Sequence, residues 1–501
     1  MIFRDWLKEL DYTLLQGSVD VETEDVIYDS RKAAPGKVFV AMKGIRVDGH
    51  SFIPQVLKAG VRVLVTERPV EEELKNSGLS EDELKQVTVV MVEEGRHALA
   101  LLSAARFDHP AKKLVMIGVT GTKGKTTTTH MIRAILLAAG KKVGMIGTTG
   151  TVIGDVVTPT LNTTPESYEL HQAFAQMVEA GCEYAVMEVS SQGIKMHRTD
   201  GLYFNYAIFT NISPDHIGPG EHADFEEYLY YKTRLLNMCG IGLVNKDDEH
   251  APQIIKAANC ELYTYSEESK EADFVASDIR YVSQPDFVGT EFHISGKYDM
   301  EVRLGIPGLF NVVNALAAVS VCSFLGLDQA RISHALENIR VNGRMEIVYT
   351  SERCTVLVDY AHNAVSMESL LSTLRDYKPK RLVCVFGCGG NRSKDRRYSM
   401  GEIGGKMADL SIITADNSRY EKVEDISADI RGSIEKTGGK FIEIPDRREA
   451  IRYSILHAQP GDMVAVIGKG HEDYQEINGV RHHFLDREVI EETVKELGEK
   501  A

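Results

Sequence analysis

The stretch "GVTGTKGKTT", residues 118–127, constrains this chain more than any other feature. The apolar run "KLVMIGV" leads into it, and a helical pattern, "TTTTHMIRAILLAAG", overlaps its end. Backbone N–H groups at the start of such a helix form a phosphate site, to which Lys125 adds positive charge and Thr126 a hydroxyl for Mg²⁺. The spacing is one residue off the usual phosphate loop, because Val119 stands where that motif has its first glycine. The sequence therefore predicts an unusual nucleotide loop in an α/β domain.

Length and composition limit what surrounds this loop. The 501 residues, 43% of them hydrophobic, are enough for about three globular domains. A net charge of −16 argues against a nucleic-acid or anionic-membrane surface. Seven cysteines lack paired spacing, which argues against a zinc site and is typical of a reducing compartment. The first residues lack the apolar core of a signal peptide, and there is no run of about 18 apolar residues. We expect a cytoplasmic protein without a membrane span.

The pattern of apolar runs divides the chain into three segments. Residues 1–111 contain short strands and glycine-rich turns, which predict an N-terminal α/β domain. Strands and helices alternate over 112–340, which predicts a central domain with a mostly parallel sheet, with antiparallel additions at 262–304. A second alternating set, from "TVLVDYA" to "MVAVIGK", predicts a Rossmann-like domain over 341–501.

The phosphate loop resembles the G-x-T-G-T-x-G-K-T-T loop of the Mur ligases and folylpolyglutamate synthases. These enzymes join a carboxylate to an amine through an acyl phosphate and convert ATP to ADP. "GLFNVVNALAA", "VNGRMEIV" and "VDYAHN" are similar to the elements that hold adenine, phosphate and ribose in this family, the last of them also bringing Tyr360 and His362. The ATP-binding residues that the resemblance implies are Gly121, Thr122, Lys123, Gly124, Lys125, Thr126, Thr127, Asn311, Asn314, Arg344 and Asp359.

Polar residues at the ends of predicted strands, and a lysine on a later helix, are candidate metal and catalytic groups. Glu188 ends the strand in "YAVMEVS", and "TNISPDHIG" brings Asn211, Asp215 and His216 beyond the next strand. Read alone, Glu188 or His216 could equally be a solvated loop residue. The resemblance implies two Mg²⁺ ions, with Thr126, Glu188, His216 and Lys232 as ligands. Lys232 would bind as a carbamate formed with CO₂ (N6-carboxylysine). The implied catalytic residues are Lys125, Lys232, His216 and Arg344.

The N-terminal segment narrows the choice within the family. "YDSRKAAPGKVFVAMKGIRVDGHSFI" resembles a uridine-binding domain, with Ser30 and Arg31 near the nucleotide; folylpolyglutamate synthases lack it. "LNTTPES" is similar to the substrate loop of the Mur ligases that add the third amino acid to UDP-N-acetylmuramoyl-L-alanyl-D-glutamate. The implied residues for this UDP-sugar dipeptide are Ser30, Thr163, Thr164, Ser190 and Arg198.

The incoming amino acid is to be recognised in the last segment. Ligases that add meso-diaminopimelate carry "DNPR", and this chain has "DNSR" at 416–419. A guanidinium can bind the second carboxylate of diaminopimelate with two hydrogen bonds, whereas lysine has no carboxylate there. Alternatively, Arg419 is a solvent-exposed loop residue with no role in binding. The implied acceptor-binding residues are Arg392, Asp416, Asn417, Arg419, Gly468 and Glu472.

These resemblances together predict an ATP-dependent ligase of peptidoglycan precursor synthesis. It would add a diamino acid, with meso-2,6-diaminopimelate favoured, to the D-Glu γ-carboxylate of UDP-N-acetylmuramoyl-L-alanyl-D-glutamate. Three alternatives stay open: addition of L-lysine or another diamino acid, a catalytically inactive UDP-sugar-binding protein, and a simple phosphate-loop hydrolase of nucleotides. The loops at 217–224 and at Ser418 depart from the family pattern. We expect a monomer.

Overall fold

A computed structural model describes residues 1–44 and 47–498. The chain forms two compact units, residues 1–265 and 266–501, and each is described by itself. Both units contain parallel sheets flanked by helices, as the alternating pattern predicts. In the described part of the chain, no helix combines the length and the apolar character that a membrane crossing requires. The domain boundaries expected after residues 111 and 340 stay predictions.

The first unit begins with a five-stranded sheet in the order β1-β5-β4-β3-β2, in which only the β1–β5 pair is antiparallel. Apolar side chains from both of its faces are buried, so helices cover it on both sides. Its strands are β1 (Thr13–Gln16), β2 (Asp25–Ile27), β3 (Lys37–Val40), β4 (Val63–Thr66) and β5 (Thr88–Met91). Its helices are α1 (Phe3–Trp6), α2 (Ile53–Lys58), α3 (Glu71–Lys75), α4 (Glu81–Leu84) and α5 (Gly95–Arg106).

A second sheet of the first unit carries the phosphate loop. Its strands run in the order β13-β12-β11-β6-β10-β7-β8-β9, parallel from β13 to β7 and antiparallel beyond. The strands are β6 (Val115–Thr120), β7 (Val143–Gly147), β8 (Gly150–Ile153), β9 (Val156–Thr158), β10 (Tyr184–Glu188), β11 (Phe204–Phe209), β12 (Cys239–Asn245) and β13 (Glu261–Ser266). The helices are α6 (Lys125–Ala138), α7 (Ser167–Glu179), α8 (Ser191–Lys195), α9 (Phe225–Thr233) and α10 (Ala251–Ala257).

The position of β6 decides where this unit can bind a ligand. Its residues are almost all buried, as expected for a strand covered on both faces of a parallel sheet. It lies between β10 and β11, in register with both. Ligands of open parallel sheets bind beyond the carboxyl ends of the strands, where the strand order reverses. The loops after β6, β10 and β11 therefore meet at one crevice.

The second unit opens with three antiparallel strands, β14 (Phe274–Gln284), β15 (Phe287–Gly296) and β16 (Met300–Leu304). These confirm most of the antiparallel additions expected at 262–304. The expectation is wrong for its first strand, because β13 pairs in parallel with β12 over 261–265. The apolar helix α11 (Leu309–Phe324) and the shorter α12 (Gln329–Glu337) follow.

A six-stranded sheet in the order β17-β18-β22-β19-β20-β21 completes the second unit. Only β17 runs antiparallel to its neighbour, so the arrangement is Rossmann-like, as the sequence predicts. The strands are β17 (Glu346–Thr350), β18 (Cys354–Asp359), β19 (Arg381–Phe386), β20 (Leu410–Ile413), β21 (Phe441–Glu443) and β22 (Asp462–Ile467), with a hairpin of β23 (Tyr474–Ile477) and β24 (Val480–His483). The helices are α13 (Ala364–Asp376), α14 (Lys394–Met407), α15 (Val423–Thr437), α16 (Arg447–Leu456) and α17 (Asp486–Glu496).

Candidate active site

The loop between β6 and α6 has the backbone of a phosphate site. Gly124 precedes the helix with a φ of 85°, and Gly121 has a φ of 146°. Residues other than glycine rarely adopt these backbone conformations. A Cβ on Gly121 would lie 1.9 Å from Thr210 Oγ1. The first N–H groups of α6 have no acceptor within the helix. The odd glycine spacing thus produces a strand–loop–helix turn with donors at the helix start.

The loop after β11 holds the phosphate loop in place. Asn211 is the main contact: its carbonyl accepts from Thr122 N at 2.9 Å, and its side-chain oxygen accepts from Lys123 N at 2.9 Å. Its amide donates to the Lys123 carbonyl at 3.1 Å, and Thr210 Oγ1 donates to the same carbonyl at 2.7 Å. Asn211 is therefore a positioning residue for the loop.

Two lysines donate to one carbonyl inside this loop. Lys125 Nζ lies 2.7 Å from the Gly121 oxygen, and Lys232 Nζ, on α9, lies 2.8 Å from the same atom. Lys232 is 2% exposed and lies over the ring of Tyr228. Burial lowers the pKa of Lys232 well below its ordinary value, and the charge of Lys125 lowers it further. The structure thus brings together two predicted catalytic residues from distant parts of the chain.

Glu188 is a buried carboxylate surrounded by neutral donors. It is 1% exposed, and both of its oxygens lie 3.0 Å from Thr126 Oγ1. Thr148 donates to it from its backbone N–H at 2.9 Å and from its hydroxyl at 3.2 Å. A buried carboxylate costs free energy unless a positive charge compensates it, and oxygen ligands are those that Mg²⁺ prefers. Thr126 and Glu188 therefore fit the predicted Mg²⁺ site.

The structure gives His216 fewer contacts with the predicted Mg²⁺ site than it gives Thr126 and Glu188. The side chain of His216 is 57% exposed, and its Nδ1 lies 3.1 Å from Glu221 Oε1. The hydrogen bonds of the described residues do not link it to Glu188 or Thr126, so its role as a metal ligand stays a prediction. Sequence reasoning missed His222, whose fully buried ring contacts Ser191 Oγ at 2.9 Å and lies 5.2 Å from the ring of Tyr228.

Four of the predicted substrate residues meet at the end of β10. Thr164 is 1% exposed; its hydroxyl donates to the Glu188 carbonyl at 3.0 Å and accepts from Ser190 N at 2.9 Å. Thr163 Oγ1 lies 3.1 Å from Thr148 Oγ1. Arg198 donates to the Thr164 carbonyl at 3.0 Å. The substrate loop and the candidate Mg²⁺ carboxylate are thus parts of one hydrogen-bond network.

Arg198 has a second attachment that the sequence did not suggest. Its Nε lies 3.0 Å and its Nη2 2.8 Å from Glu166 Oε1. Most of the donors of Arg198 are therefore hydrogen-bonded within the protein. In this structure Arg198 holds the substrate loop in place. The predicted uridine residue Ser30 lies in a short 3₁₀ turn, Ser30–Lys32, after β2. Arg31 in that turn is largely exposed and pairs with Asp29.

In the second unit, the two asparagines predicted to contact adenine are buried at the start of α11. Asn311 is 1% exposed and donates to the Pro307 carbonyl at 2.7 Å, and Asn314 donates to Asn311 Oδ1 at 3.2 Å. These bonds fix the first turn of the helix. A structural role is therefore visible, and the contact with a base stays a prediction.

Arg344 and Asp359 are neighbours, as their shared role in binding ATP would require. The guanidinium of Arg344 lies 4.9 Å from the ring centre of Tyr360. Asp359 accepts from the backbone N–H groups of Met345 and Ala361, each at 2.8 Å. Burial raises the pKa of Asp359, while these bonds and the charge of Arg344 act to lower it. The carboxylate therefore fixes the backbone beside Arg344.

Most predicted acceptor residues lie together after β20 and β22. Asn417 Nδ2 donates to Glu472 Oε2 at 2.9 Å, and its Oδ1 accepts from Glu476 N at 2.9 Å. A Cβ on Gly468, whose φ is 112°, would lie 2.8 Å from Asp416 Oδ2. That position requires glycine because the backbone conformation and the nearby carboxylate both exclude a side chain.

Arg419 and a lysine that the sequence did not single out complete this cluster. Arg419 donates to the Gly390 carbonyl at 2.8 Å, and its Nε lies 3.5 Å from Glu476 Oε2. Lys469 is fully buried and lies 3.2 Å from Glu472 Oε2, with a further short contact to the Tyr474 carbonyl. Arg392 is an exposed residue of the loop after β19, and the Gly390 carbonyl of the same loop accepts from Arg419. The cluster offers both positive and negative groups.

Comparison with known proteins agrees with this arrangement. Residues 23–107 match the Mur ligase family catalytic domain, residues 119–322 the Mur ligase middle domain, and residues 343–470 the Mur ligase glutamate ligase domain. Together these matches cover the phosphate loop from Val119 onward and the acceptor cluster as far as Lys469.

Relatives and solved structures extend the match over the whole chain. The UDP-N-acetylmuramoyl-L-alanyl-D-glutamate–2,6-diaminopimelate ligase of Caldanaerobacter subterraneus subsp. tengcongensis is 38% identical over 98% of each chain. A solved structure of a ligase of the same name is 30% identical, with a TM-score of 0.72 over 95% of this chain and 96% of that one. The MurF ligase of Thermotoga maritima in complex with ADP shares the fold, at 19% identity and a TM-score of 0.58 over 95% and 97% of the two chains. The predicted three-domain α/β fold class is confirmed, and the chain belongs to the Mur ligase family.

Proposed function

We propose that this chain is a MurE-type ligase that adds meso-2,6-diaminopimelate to UDP-N-acetylmuramoyl-L-alanyl-D-glutamate. The observation that carries the proposal is the 38% identity, over 98% of both chains, to a ligase named for that reaction. The acceptor cluster supports it, because Arg419 stands where a second carboxylate can be bound. The predicted Mur ligase activity, with ATP as a substrate, follows from the family itself.

The reaction proceeds in two balanced steps. An oxygen of the D-Glu γ-carboxylate attacks the γ-phosphorus of ATP, and ADP leaves with the electrons of the broken P–O bond. The amine of the incoming amino acid then attacks the acyl carbon, loses a proton, and displaces inorganic phosphate. Negative charge builds up on phosphate oxygens, so the residues act mainly by positioning and electrostatic stabilisation.

The phosphate loop supplies the stabilising groups of the first unit. The N–H groups at the start of α6 bind phosphate oxygens, and Lys125 turns from the Gly121 carbonyl toward them. Thr126 and Glu188 hold Mg²⁺, which neutralises phosphate charge when bound. Thr163 and Thr164 position the dipeptide beside this pair, since Thr164 is bonded to the backbone of Glu188.

Lys232 is proposed to act as a carbamate. Its Nζ is buried beside Lys125 and the Gly121 carbonyl, where a second ammonium is unfavourable. Attack of the neutral amine on CO₂, followed by loss of a proton, gives an anion that interacts favourably with Lys125 and can bind a metal. Removal of dissolved CO₂ should lower activity, and bicarbonate should restore it. The same activity with and without bicarbonate would contradict this assignment.

Acceptor recognition is assigned to the cluster of the second unit. The guanidinium of Arg419 binds the distal carboxylate, and Glu472, held by Asn417 and Lys469, binds the distal ammonium.

The decisive experiment is phosphate release with purified protein, ATP, the UDP-sugar dipeptide and a panel of diamino acids. Preference for L-lysine would favour the alternative acceptor. Release with no acceptor would indicate a simple nucleotide hydrolase, and no release with any acceptor an inactive UDP-sugar-binding protein. Two Mg²⁺ ions, a monomeric state and a cytoplasmic location are further parts of the proposal.

A further inference from the structure

A separate polar cluster lies where α5 meets the turn after α8. It consists of His97, His197 and Asp200. His97 Nδ1 lies 2.6 Å from Asp200 Oδ2, and His197 Nδ1 lies 2.8 Å from the same oxygen. The two rings are 6.3 Å apart and 78° from parallel. One potential ligand atom from each residue lies within 4.8 Å of the other two.

The surroundings of this cluster suit a bound cation. The side chains of His97, His197 and Asp200 are 44%, 36% and 19% exposed, so an ion and a water molecule can reach them. Asp200 Oδ2 lies within hydrogen-bond distance of both rings, so a carboxylate oxygen and two imidazole nitrogens, ligand types that Zn²⁺ takes, are already close together.

We propose that this cluster binds one transition-metal dication of the Zn²⁺ class, with two imidazoles, one carboxylate and a water molecule as ligands. Imidazole nitrogen favours Zn²⁺ over Mg²⁺, which prefers oxygen ligands only. In a tetrahedral site with bonds of about 2.0 Å, ligand atoms lie about 3.3 Å apart. The contacts of 2.6 and 2.8 Å therefore need to open by only about 0.5–0.7 Å. Small side-chain rotations would supply that movement, and each imidazole would carry its proton on Nε2 so that the lone pair of Nδ1 faces the ion.

The backbone at His197 fixes its ring for this role. His197 follows the C-cap residue Met196 of α8 and has a φ of 56°, in the left-handed region. The N–H of His197 donates to Ile194 O at 3.0 Å, and that of Arg198 donates to Gly193 O at 2.9 Å, which closes the helix end. Glycine is the residue that usually stands at such a position. His197 adopts a backbone conformation that is unfavourable for a residue with a side chain, and in it the imidazole contacts Asp200.

The cluster also joins two parts of the first unit beside the substrate loop. Arg96, next to His97, lies 3.3 Å from Glu166, and Glu166 also pairs with Arg198, next to His197. A bound ion would thus fasten α5 to the segment that carries Arg198. This inference does not depend on the proposed reaction, since metal binding can be measured without substrates.

The test is a Zn²⁺ titration of the full-length protein against a chromophoric chelator, with Mg²⁺ in large excess. We expect one Zn²⁺ per chain, with binding weakened about tenfold or more in His97→Ala and in His197→Ala. Asp200→Asn, which can still form hydrogen bonds with the histidines, should weaken binding as well and guards against a variant that fails to fold. Zn²⁺ should raise the Tm of the unaltered protein but not that of His197→Ala.

Two control variants separate this site from other places where Zn²⁺ could bind. Glu188→Gln removes the candidate Mg²⁺ carboxylate and should leave the binding unchanged. His293→Ala removes a histidine that contacts two carboxylates, Asp299 and Glu301, and it too should leave the binding unchanged. Affinities within twofold of the unaltered protein in both His97→Ala and His197→Ala would overturn the proposal. Loss of the bound Zn²⁺ in Glu188→Gln would also overturn it.

Discussion

Around the phosphate loop, Lys125 and Lys232 both donate to the carbonyl of Gly121, whereas in the acceptor cluster Lys469 and Arg419 each lie beside a glutamate. The first region places the Lys125 ammonium and a helix N-terminus beside a buried amine whose pKa is lowered, which suits a ligand that brings its own negative charge. In the second region the positive side chains already form ion pairs with glutamates, so groups of both charges are available, which suits a ligand with both a carboxylate and an ammonium. The difference agrees with the proposal that the first region carries out the phosphate chemistry and the second selects the amino acid.

The largest effect is expected from Lys125→Ala. Removing the phosphate-binding ammonium should lower kcat by about 10³-fold, because electrostatic stabilisation is the main contribution of this loop. Phosphate release measures the effect, and circular dichroism checks the fold. Lys141→Ala, which removes an exposed lysine paired with Glu183, is the matched control and should retain full activity. Similar rates in both variants would remove the loop from the mechanism.

A smaller loss is expected from Glu188→Gln. The amide keeps the size of the side chain and can still bond to Thr126 and Thr148, but it lacks the charge that a cation requires. We expect activity to fall about 10²-fold and the Mg²⁺ concentration for half-maximal activity to rise. An unchanged Mg²⁺ dependence would show that the cation is held elsewhere.

The two regions also differ in how far the sequence predicts them. Lys125, Thr126 and Glu188 could be predicted because they follow strands whose carboxyl ends share one edge of a parallel sheet. The glycine spacing also carries the resemblance to the family, and in the structure Gly121 has no room for a side chain because Thr210 Oγ1 lies close to it. Local sequence and sheet topology together therefore determine this region.

The acceptor cluster depends more on contacts between distant loops. Lys469 in "GKGHEDYQ" reads as a solvated charge, yet it is fully buried against Glu472 and Asn417. Glu476, on the β23–β24 hairpin, fixes Arg419 through both its backbone and its side chain. The spacing of residues in the sequence does not predict which loops contact each other, so only the structure reveals these contacts. Asn311 is hydrogen-bonded at the start of its own helix, and its expected contact with a base stays a prediction.

Arg419→Ala should act on the acceptor alone. Loss of a charge-assisted bidentate contact costs about 1.5–3 kcal/mol, so the KM for diaminopimelate should rise about 10- to 100-fold while that for ATP stays within twofold. Steady-state kinetics with each substrate varied in turn measure the two values. Arg452→Ala removes another partly exposed arginine that pairs with glutamates and serves as the control. Equal increases for both substrates would contradict the separation of the two regions.

The smallest effect is expected from Arg392→Ala. Arg392 is exposed, on the loop after β19 whose Gly390 carbonyl accepts from Arg419, so we expect it to contribute less to acceptor binding than the more buried Arg419. We expect the KM for diaminopimelate to rise less than about fivefold, since exposed charges contribute at most about 1 kcal/mol. An effect as large as that of Arg419→Ala would show that the loop closes over the acceptor when it binds.

Acceptor-dependent phosphate release tests the central claim most directly. With ATP, Mg²⁺ and UDP-N-acetylmuramoyl-L-alanyl-D-glutamate present, meso-diaminopimelate should support rapid release. L-lysine should be at least about 100-fold less efficient, because it lacks the distal carboxylate that Arg419 is proposed to bind. The product should contain one new amide bond per phosphate released. Release that is equally fast with lysine, or that needs no UDP-sugar dipeptide, would contradict the assignment of phosphate chemistry and amino-acid selection to these two regions.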